Sequence, residues 1–461
     1  MKLISIQVAN RLIEVSIPDN TQIIKMSDPE PISNPAEAIE KALKDSIGAP
    51  GLEQLLAEKI RLKPDSRAVV VISDNTRPVP YRGESGILWP VLKKLLDGGI
   101  PKERILILVA NGTHRALTEA ELREMLDSRV FEAGIVVRNH DCRDKNNLSY
   151  LGRTRRGSEI FLNRFYCEAD IKILTGLVES HFMAGVSGGR KSVCPGLISE
   201  ESTYVFHGAP FLASPAARDL NLQDNPCHEE ALEVAEKAGA DYIINVTLDR
   251  SFHLTGVYAG DLKRAHETAA AKINSYVQLP LQREFDIVIT HAGFVGINHY
   301  QAAKAAVAAI PALKPNGTLV LVANHTDPEP VGSPNYRTLL HLLKIFGAER
   351  FERLLTSPDW NFVTEQWQVQ MWARLFRKIP LENFIYYSPQ ISAKDYKILP
   401  GLDGNEFLPV NKRYCGSLDT IPPVIEAVLN QGIARMKQLK QTEPAVVFLS
   451  DGPYGIPAKM S

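Results

Sequence analysis

The feature that most constrains the fold is an alternation. Short, β-branched apolar runs at 68–73, 104–109, 170–174, 285–290, 317–323 and 445–450 are separated by stretches of helical character. Runs that are apolar throughout, and not merely at every second residue, belong to strands buried on both faces. Joined by crossover helices, such strands build parallel sheets, so the predicted fold class is α/β. At 461 residues the chain exceeds what one core holds, and two α/β domains with mostly parallel sheets are expected.

Punctuation between the runs refines this outline. Residues 1–20 alternate apolar and polar side chains, which reads as a strand pair and lacks the continuous apolar segment of a signal peptide. From 242 to 257 two apolar runs flank Asp249-Arg250-Ser251 in the manner of a hairpin, and an Ala-rich helix is expected over 261–276. Pro280 and the polar Gln282-Arg283-Glu284 precede a fresh strand. The predicted division is therefore a cofactor-binding domain over 1–280 and a second domain over 281–461 that completes an interdomain cleft, with the terminal segment able to pack back on the first. Residues 302–310 read as a helix ended by Pro311, while 328–377, with Trp360, Trp367 and Trp372, read as helical without a clear place.

Composition removes several classes of function. Hydrophobic residues at 44% and charged residues at 23% are globular averages, and a formal net charge of -1 gives no general attraction to nucleic acid or anionic membrane. No apolar run approaches the ~18 residues of a membrane span. A cytoplasmic protein without nucleic-acid or membrane partners is expected. Five scattered cysteines with no C-x-x-C pair argue against a disulfide framework or a structural zinc site. Cys194 and the others read as packed small apolar residues.

In open parallel sheets, ligands bind outside the carboxyl ends of the strands. Asp74-Asn75-Thr76-Arg77-Pro78 follows the first run, and Asn111-Gly112-Thr113-His114-Arg115 follows the second. The third leads to Glu179-Ser180-His181 and then to a glycine-rich stretch, 185–192. Each alone reads as a turn, but three strand ends that each deliver an acid–base or cationic side chain form an active-site rim. The stretch 185–192 approaches the phosphate-loop pattern G-x-x-x-x-G-K-[ST], yet Arg190 occupies the second required glycine. A side chain there crowds the backbone approach that phosphates need. Nucleotide hydrolysis is thus the weaker reading, and a plain flexible loop leaves Arg190-Lys191 without a purpose.

These segments, 74–78, 112–115 and 181–196, with Lys191 ten residues after His181 and His207 sixteen after Lys191, resemble those of the nickel-dependent lactate racemase family. Its members are nickel-pincer nucleotide-dependent racemases and epimerases of 2-hydroxy acids. The likeness spans most of 65–305, and Gln301 and Lys304, on the helix after Asn298-His299-Tyr300, extend it into the second domain.

The resemblance implies a cofactor, the pyridinium-3,5-bisthiocarboxylic acid mononucleotide, which grips nickel through two sulfur-bearing arms and a ring carbon. Lys191 would be its covalent tether and His207 the protein's nickel ligand. A single histidine cannot hold nickel by itself, so the remaining donors would be the cofactor's. His114 and His181 would be the paired acid–base catalysts. Asp74, Gly188 and Gly189 would lie against the nucleotide. Arg77, Gln301 and Lys304 would grip the substrate carboxylate beside Tyr300, with Trp360 or Trp367 near it.

The implied substrate is a small α-hydroxy acid, and lactate, malate, longer 2-hydroxy acids and sugar acids are comparable choices, with a larger one favoured by surplus chain toward the C-terminus. The implied route passes hydride to and from the cofactor through a 2-keto acid. Cofactor-building enzymes are the implied protein partners; the number of subunits is not specified by the sequence. A non-catalytic nickel-pincer carrier is the rival reading, and it gives the pair His114 and His181 no role. His140 is expected behind the site and His299 near the cleft. His228, His253, His266, His291, His325 and His341 read as surface or satisfied structural histidines.

Overall fold

The computed structural model describes residues 1–8, 11–440 and 443–459. They form two compact units, Asp28–Tyr276 and Met1–Ser27 together with Val277–Ser461.

In the unit Asp28–Tyr276, six strands lie in the order Leu254–Gly260, Tyr242–Leu248, Ile171–Leu177, Ala68–Ser73, Ile105–Ala110 and Val136–Asn139. All pairs are parallel except the edge pair Tyr242–Leu248 with Leu254–Gly260, the predicted hairpin. The strand Ala68–Ser73 shows why periodicity finds such elements: five of its six side chains, all apolar, are buried, so both faces are covered. Helices Leu88–Asp97 and Leu52–Leu62 pack Leu88, Val91, Leu92, Leu95, Leu52 and Leu56 into the core that also holds Val70, Ile72, Ile107 and Ile173. The chain leaves Ala68–Ser73 for Ile105–Ala110 on one side, and later returns to place Ile171–Leu177 on the other. The strand order therefore reverses at Ala68–Ser73, and in open parallel sheets ligands bind outside the carboxyl ends of the strands at such a point.

In the other unit the order is Leu402–Asp403, Phe384–Tyr387, Leu313–Val322, Phe285–His291, Val446–Leu449 and Gln22–Ile24, with every neighbouring pair parallel. The stretch 328–377, unplaced by sequence, supplies three helices, Pro334–Phe346, Ala348–Leu355 and Gln366–Lys378.

The division departs from the expected one at the amino terminus. Residues 1–27 do not join the first domain, because Gln22–Ile24 pairs with Val446–Leu449. The hairpin of Lys2–Val8 with Arg11–Ile17 also buries Ile4, Ile6, Val8, Val15 and Ile17 in the core of Ile287, Val320 and Val424. The terminal segment likewise stays in this unit, where Ile456–Lys459 pairs with Gln278–Leu281. Among the described residues no helix is long and apolar enough to cross a membrane.

Candidate active site

Three loops beyond the reversal point of the Asp28–Tyr276 sheet carry the candidate residues, and each loop fixes its side chain by a local device. Asp74 follows the strand Ala68–Ser73 and is buried. Its Oδ1 accepts hydrogen bonds from the Thr76 amide at 3.2 Å and the Thr76 hydroxyl at 2.5 Å. Its Oδ2 lies 2.7 Å from His114 Nδ1. Burial opposes ionisation of Asp74, but the bond from His114, its charge and the Thr76 bonds outweigh it and hold the carboxyl below its usual range. With a carboxylate at Nδ1, neutral His114 carries its hydrogen there, and its Nε2 presents a lone pair. Over half of this side chain remains exposed.

His181 stands on a miniature hairpin, Ser180–His181 against Gly185–Val186. Gly185 has φ of +79°, and a Cβ there would sit 2.3 Å from the Asn221 carbonyl oxygen, so the turn requires glycine. At the tip, the amides of Met183 and Ala184 both donate to His181 Nδ1 at 3.2 Å. Its Nε2 lies 3.1 Å from Lys191 Nζ.

Lys191 belongs to the 3-10 turn Gly189–Ser192, anchored where Ser192 Oγ donates to Thr175 O at 2.9 Å. Its ammonium is disfavoured by burial, then by the charges of Arg77 and Arg190, which bring the group down to about 7. Below Nζ, the Phe206 ring lies 5.4 Å away. His207 caps the helix Glu200–Phe206 and packs edge-on against Phe206. Burial, then the charges of Lys191 and His114, push it down to about 3, so its imidazole is neutral. Tether, acid–base and metal-ligand candidates thus converge within one another's electrostatic reach.

Gly188 and Gly189 adopt φ of +71° and +53°. Cβ atoms there would strike Val178 at 2.8 Å and the His266 ring at 2.7 Å, so protein packing already demands these glycines. Arg190 is buried. It donates to the carbonyls of Ala184 at 2.8 Å, Gly188 at 3.3 Å and Ser187 at 3.4 Å, and lies 2.7 Å from His266 Nε2. The glycine-rich stretch is therefore a loop clamped from inside by a guanidinium.

Sequence reasoning missed one partner. Glu179 forms an ion pair with Arg77; its only signal was its place two residues before His181. Burial also draws the Arg77 guanidinium below its usual range, opposed by the charge of Asp74.

His140 is structural: Asn163 Nδ2 donates to its Nδ1 at 3.1 Å, and its Nε2 contacts Ile198 O at 3.0 Å. His228 departs from expectation, because its buried Nδ1 finds no hydrogen-bond partner among the described residues. Among the described residues no disulfide forms; Cys142, Cys194 and Cys227 are buried, Cys167 half-buried and Cys415 exposed.

In the other unit, Asn298 caps the helix His299–Ala309 by accepting from the Gln301 amide at 2.9 Å. Spacings of three and four residues put Tyr300, Gln301 and Lys304 on one face of that helix. Trp367 Nε1 donates to the Tyr300 hydroxyl at 2.7 Å, whereas Trp360 Nε1 is engaged by Gln366. Burial raises the Tyr300 phenol above its usual range. His299 is fully buried, stacked on Trp372 at 4.6 Å and bonded through Nδ1 to the Tyr336 hydroxyl at 2.9 Å.

Residues 9–219 match the family described as the lactate racemase N-terminal domain, and residues 281–394 match the lactate racemase C-terminal domain. The lactate racemase of Lactiplantibacillus plantarum is 34% identical over 342 residues, covering 74% of this chain and 77% of that one. The chain belongs to the lactate racemase family. It is accordingly an enzyme of the isomerase class. The lactate racemase of Thermoanaerobacterium thermosaccharolyticum is 29% identical over 413 residues, 86% of this chain and 90% of that one. The solved apoprotein structure of a lactate racemase from that organism superposes with a TM-score of 0.81 at 23% identity, over 99% of this chain and 100% of the other. A Thermotoga maritima structure gives 0.62 at 17% identity, over 90% and 100%. These two likenesses speak for the two-domain, mostly parallel α/β fold.

The donor set suits the family's implied cofactor. Among the described residues no group of three or more His, Cys, Asp or Glu could hold a metal ion. A neutral imidazole is the form that ligates metal, and a neutral amine is the form that attacks a carboxyl or thiocarboxyl carbon. His207 and Lys191 supply one of each.

Proposed function

We propose that this lactate racemase family member interconverts the two hands of lactate or a related α-hydroxy acid at C2, through the 2-keto acid, with a nickel-pincer nucleotide tethered at Lys191. The observation that carries the reading is the convergence of Lys191 with His181, His114 and His207 beyond the reversal point of one sheet. When bound, the nucleotide and its nickel supply hydride storage between the two faces of the substrate carbon. Lys191 would hold it covalently, His207 would ligate the nickel, and Asp74 with the 188–189 turn would lie beside the nucleotide.

The protein's own work is proton management and orientation. His114, held at Nδ1 by Asp74, removes the hydroxyl proton at Nε2. His181, held at Nδ1 by two amides, presents a hydrogen at Nε2. In this reading His114 is the base for one hand of the substrate and His181 the base for the other, each returning the proton as acid in the opposite direction. The reverse direction needs His181 as acceptor, and so needs Nδ1 released from the Met183 and Ala184 amides. Arg77 pairs with the substrate carboxylate; malate, longer 2-hydroxy acids and sugar acids fit the same chemistry. We place the activity in the cytoplasm, alongside the enzymes that build the cofactor.

Two measurements test the reading. Protein produced with the cofactor-building enzymes should show a covalent mass increase on Lys191 and near-stoichiometric nickel. A C2-deuterated substrate should give the opposite enantiomer with its label largely kept, whereas loss of the label to water would replace hydride transfer by proton abstraction.

A further inference from the structure

We infer that, in the chain without a tethered group, Lys191 traps 2-oxo acids as an imine, so that these acids compete with the cofactor for the same nitrogen. The choice of 2-oxo acids over other carbonyls rests on the proposed substrate class. The reactivity of the amine rests on geometry.

That geometry is a hydrogen-bond count. His181 Nδ1 accepts two backbone N–H groups, from Met183 and Ala184, so it has no room for a hydrogen of its own. The imidazole hydrogen is therefore on Nε2, and Nε2 faces Lys191 Nζ at 3.1 Å. An ammonium has three hydrogens and no lone pair, and would oppose that N–H donor to donor. Only the free amine completes the pair. The charges of Arg77 and Arg190 also reach Lys191, and Arg77, which meets Glu179 through Nη1, has further N–H groups in its five-donor fork for a substrate carboxylate. The lysine is half-buried and retains access to solvent.

The chemistry closes without a further reactant. The Nζ lone pair adds to the keto carbon, and the carbonyl π pair moves to oxygen, which takes a proton. The resulting carbinolamine expels that oxygen as water; both hydrogens of Nζ leave with it, and a C=N bond remains. Nothing is oxidised or reduced. His181 Nε2, already in contact with Nζ, is the group placed to pass protons between nitrogen and oxygen.

The test uses the full-length chain made without the cofactor-building enzymes, incubated with pyruvate, reduced with cyanoborohydride and analysed by intact mass and peptide mapping. A single addition equal to pyruvate less one oxygen atom is expected on Lys191. It should form at least about tenfold faster there than on an exposed lysine such as Lys145, because an ordinary lysine is almost wholly protonated at neutral pH. Lys191→Arg, with its fold checked by circular dichroism, should lose the addition. Arg77→Gln should slow labelling by pyruvate about tenfold or more and leave labelling by uncharged hydroxyacetone near the parent rate. Addition scattered over exposed lysines, with Lys191 spared, overturns the inference. A nickel-bearing adduct without imine formation overturns it alone, whereas imine formation without any nickel-bearing adduct overturns the proposed function alone.

Discussion

Replacing Lys191 with methionine should make the untethered chain more stable at neutral pH, and the gain should vanish at alkaline pH. Burial, Arg77 and Arg190 bring the Lys191 amine from the usual 10.5 to about 7. The folded chain then binds fewer protons than the unfolded chain between about pH 7 and 10.5, so stability rises with pH across that window. Below pH 7 the whole deficit is present. Each unit is worth about 1.4 kcal/mol, and the full shift would approach ~5 kcal/mol. Water reaching a half-buried side chain reduces this to about 2–4 kcal/mol. Methionine has nearly the same length and reach, so it fills the space without opening a cavity.

The quantity to measure is the difference in unfolding free energy between Lys191→Met and the parent, in urea, at about pH 7 and about pH 10. Hydrogen exchange in the strand Ile171–Leu177 follows the right unit, since three of the four tryptophans, Trp360, Trp367 and Trp372, belong to the other. Taking the difference also cancels the buried thiol Cys142, which burial raises and which pulls stability down at alkaline pH in both proteins. An equal difference at the two pH values, or a variant less stable at pH 7, would refute the reasoning.

Asp74→Asn should lower kcat/KM of the loaded enzyme about 10- to 150-fold, the value of a charged hydrogen bond of roughly 1.5–3 kcal/mol, with most of the loss in kcat, because His114 Nδ1 loses its carboxylate; steady-state kinetics in both directions checks this. Arg77→Ala should cost a similar factor through loss of a carboxylate partner, and parent-like kinetics in this variant would remove Arg77 from the proposed substrate contact. Gly189→Ala should destabilise by more than the ~1–2 kcal/mol of a left-handed non-glycine residue, since its Cβ meets the His266 ring at 2.7 Å. Gly83→Ala, at φ +72° with nothing within 4 Å, isolates the conformational cost, and equal melting-temperature losses in the two would count against the clash.

How much of this was legible in the sequence depends on whether a residue's role is local. Ala68–Ser73 is readable because a strand buried on both faces must be apolar throughout, and Asp74 and His114 are readable because parallel sheets place ligands at strand ends. The hairpin at residues 2–17 was readable as a hairpin but not as part of the second unit. An alternating strand announces that one face is buried without naming the core that covers it, and here the cover is Ile287, Val320 and Val424. Glu179 was printed beside His181 yet gave no sign of its partner, because its ion pair with Arg77 joins loops about a hundred residues apart.

Arg190 shows the same limit from the other side. At the position where a phosphate loop needs glycine, an arginine excludes the phosphate reading but leaves its own purpose open. The structure supplies the purpose: the guanidinium points inward and gathers the carbonyls of Ala184, Ser187 and Gly188, while His266 abuts it. Those carbonyls frame the turn that presents Lys191, and the Ala184 amide is one of the two that fix the His181 tautomer. One buried charge therefore shapes the loop from beneath and disfavours a proton on the neighbouring lysine. Burying it is expensive unless its donors are satisfied, and burial does draw the guanidinium down to about 9. A glycine at 190 would remove the clamp together with its share of the electrostatic bias, a share that stands behind burial and the charge of Arg77 in lowering the Lys191 amine.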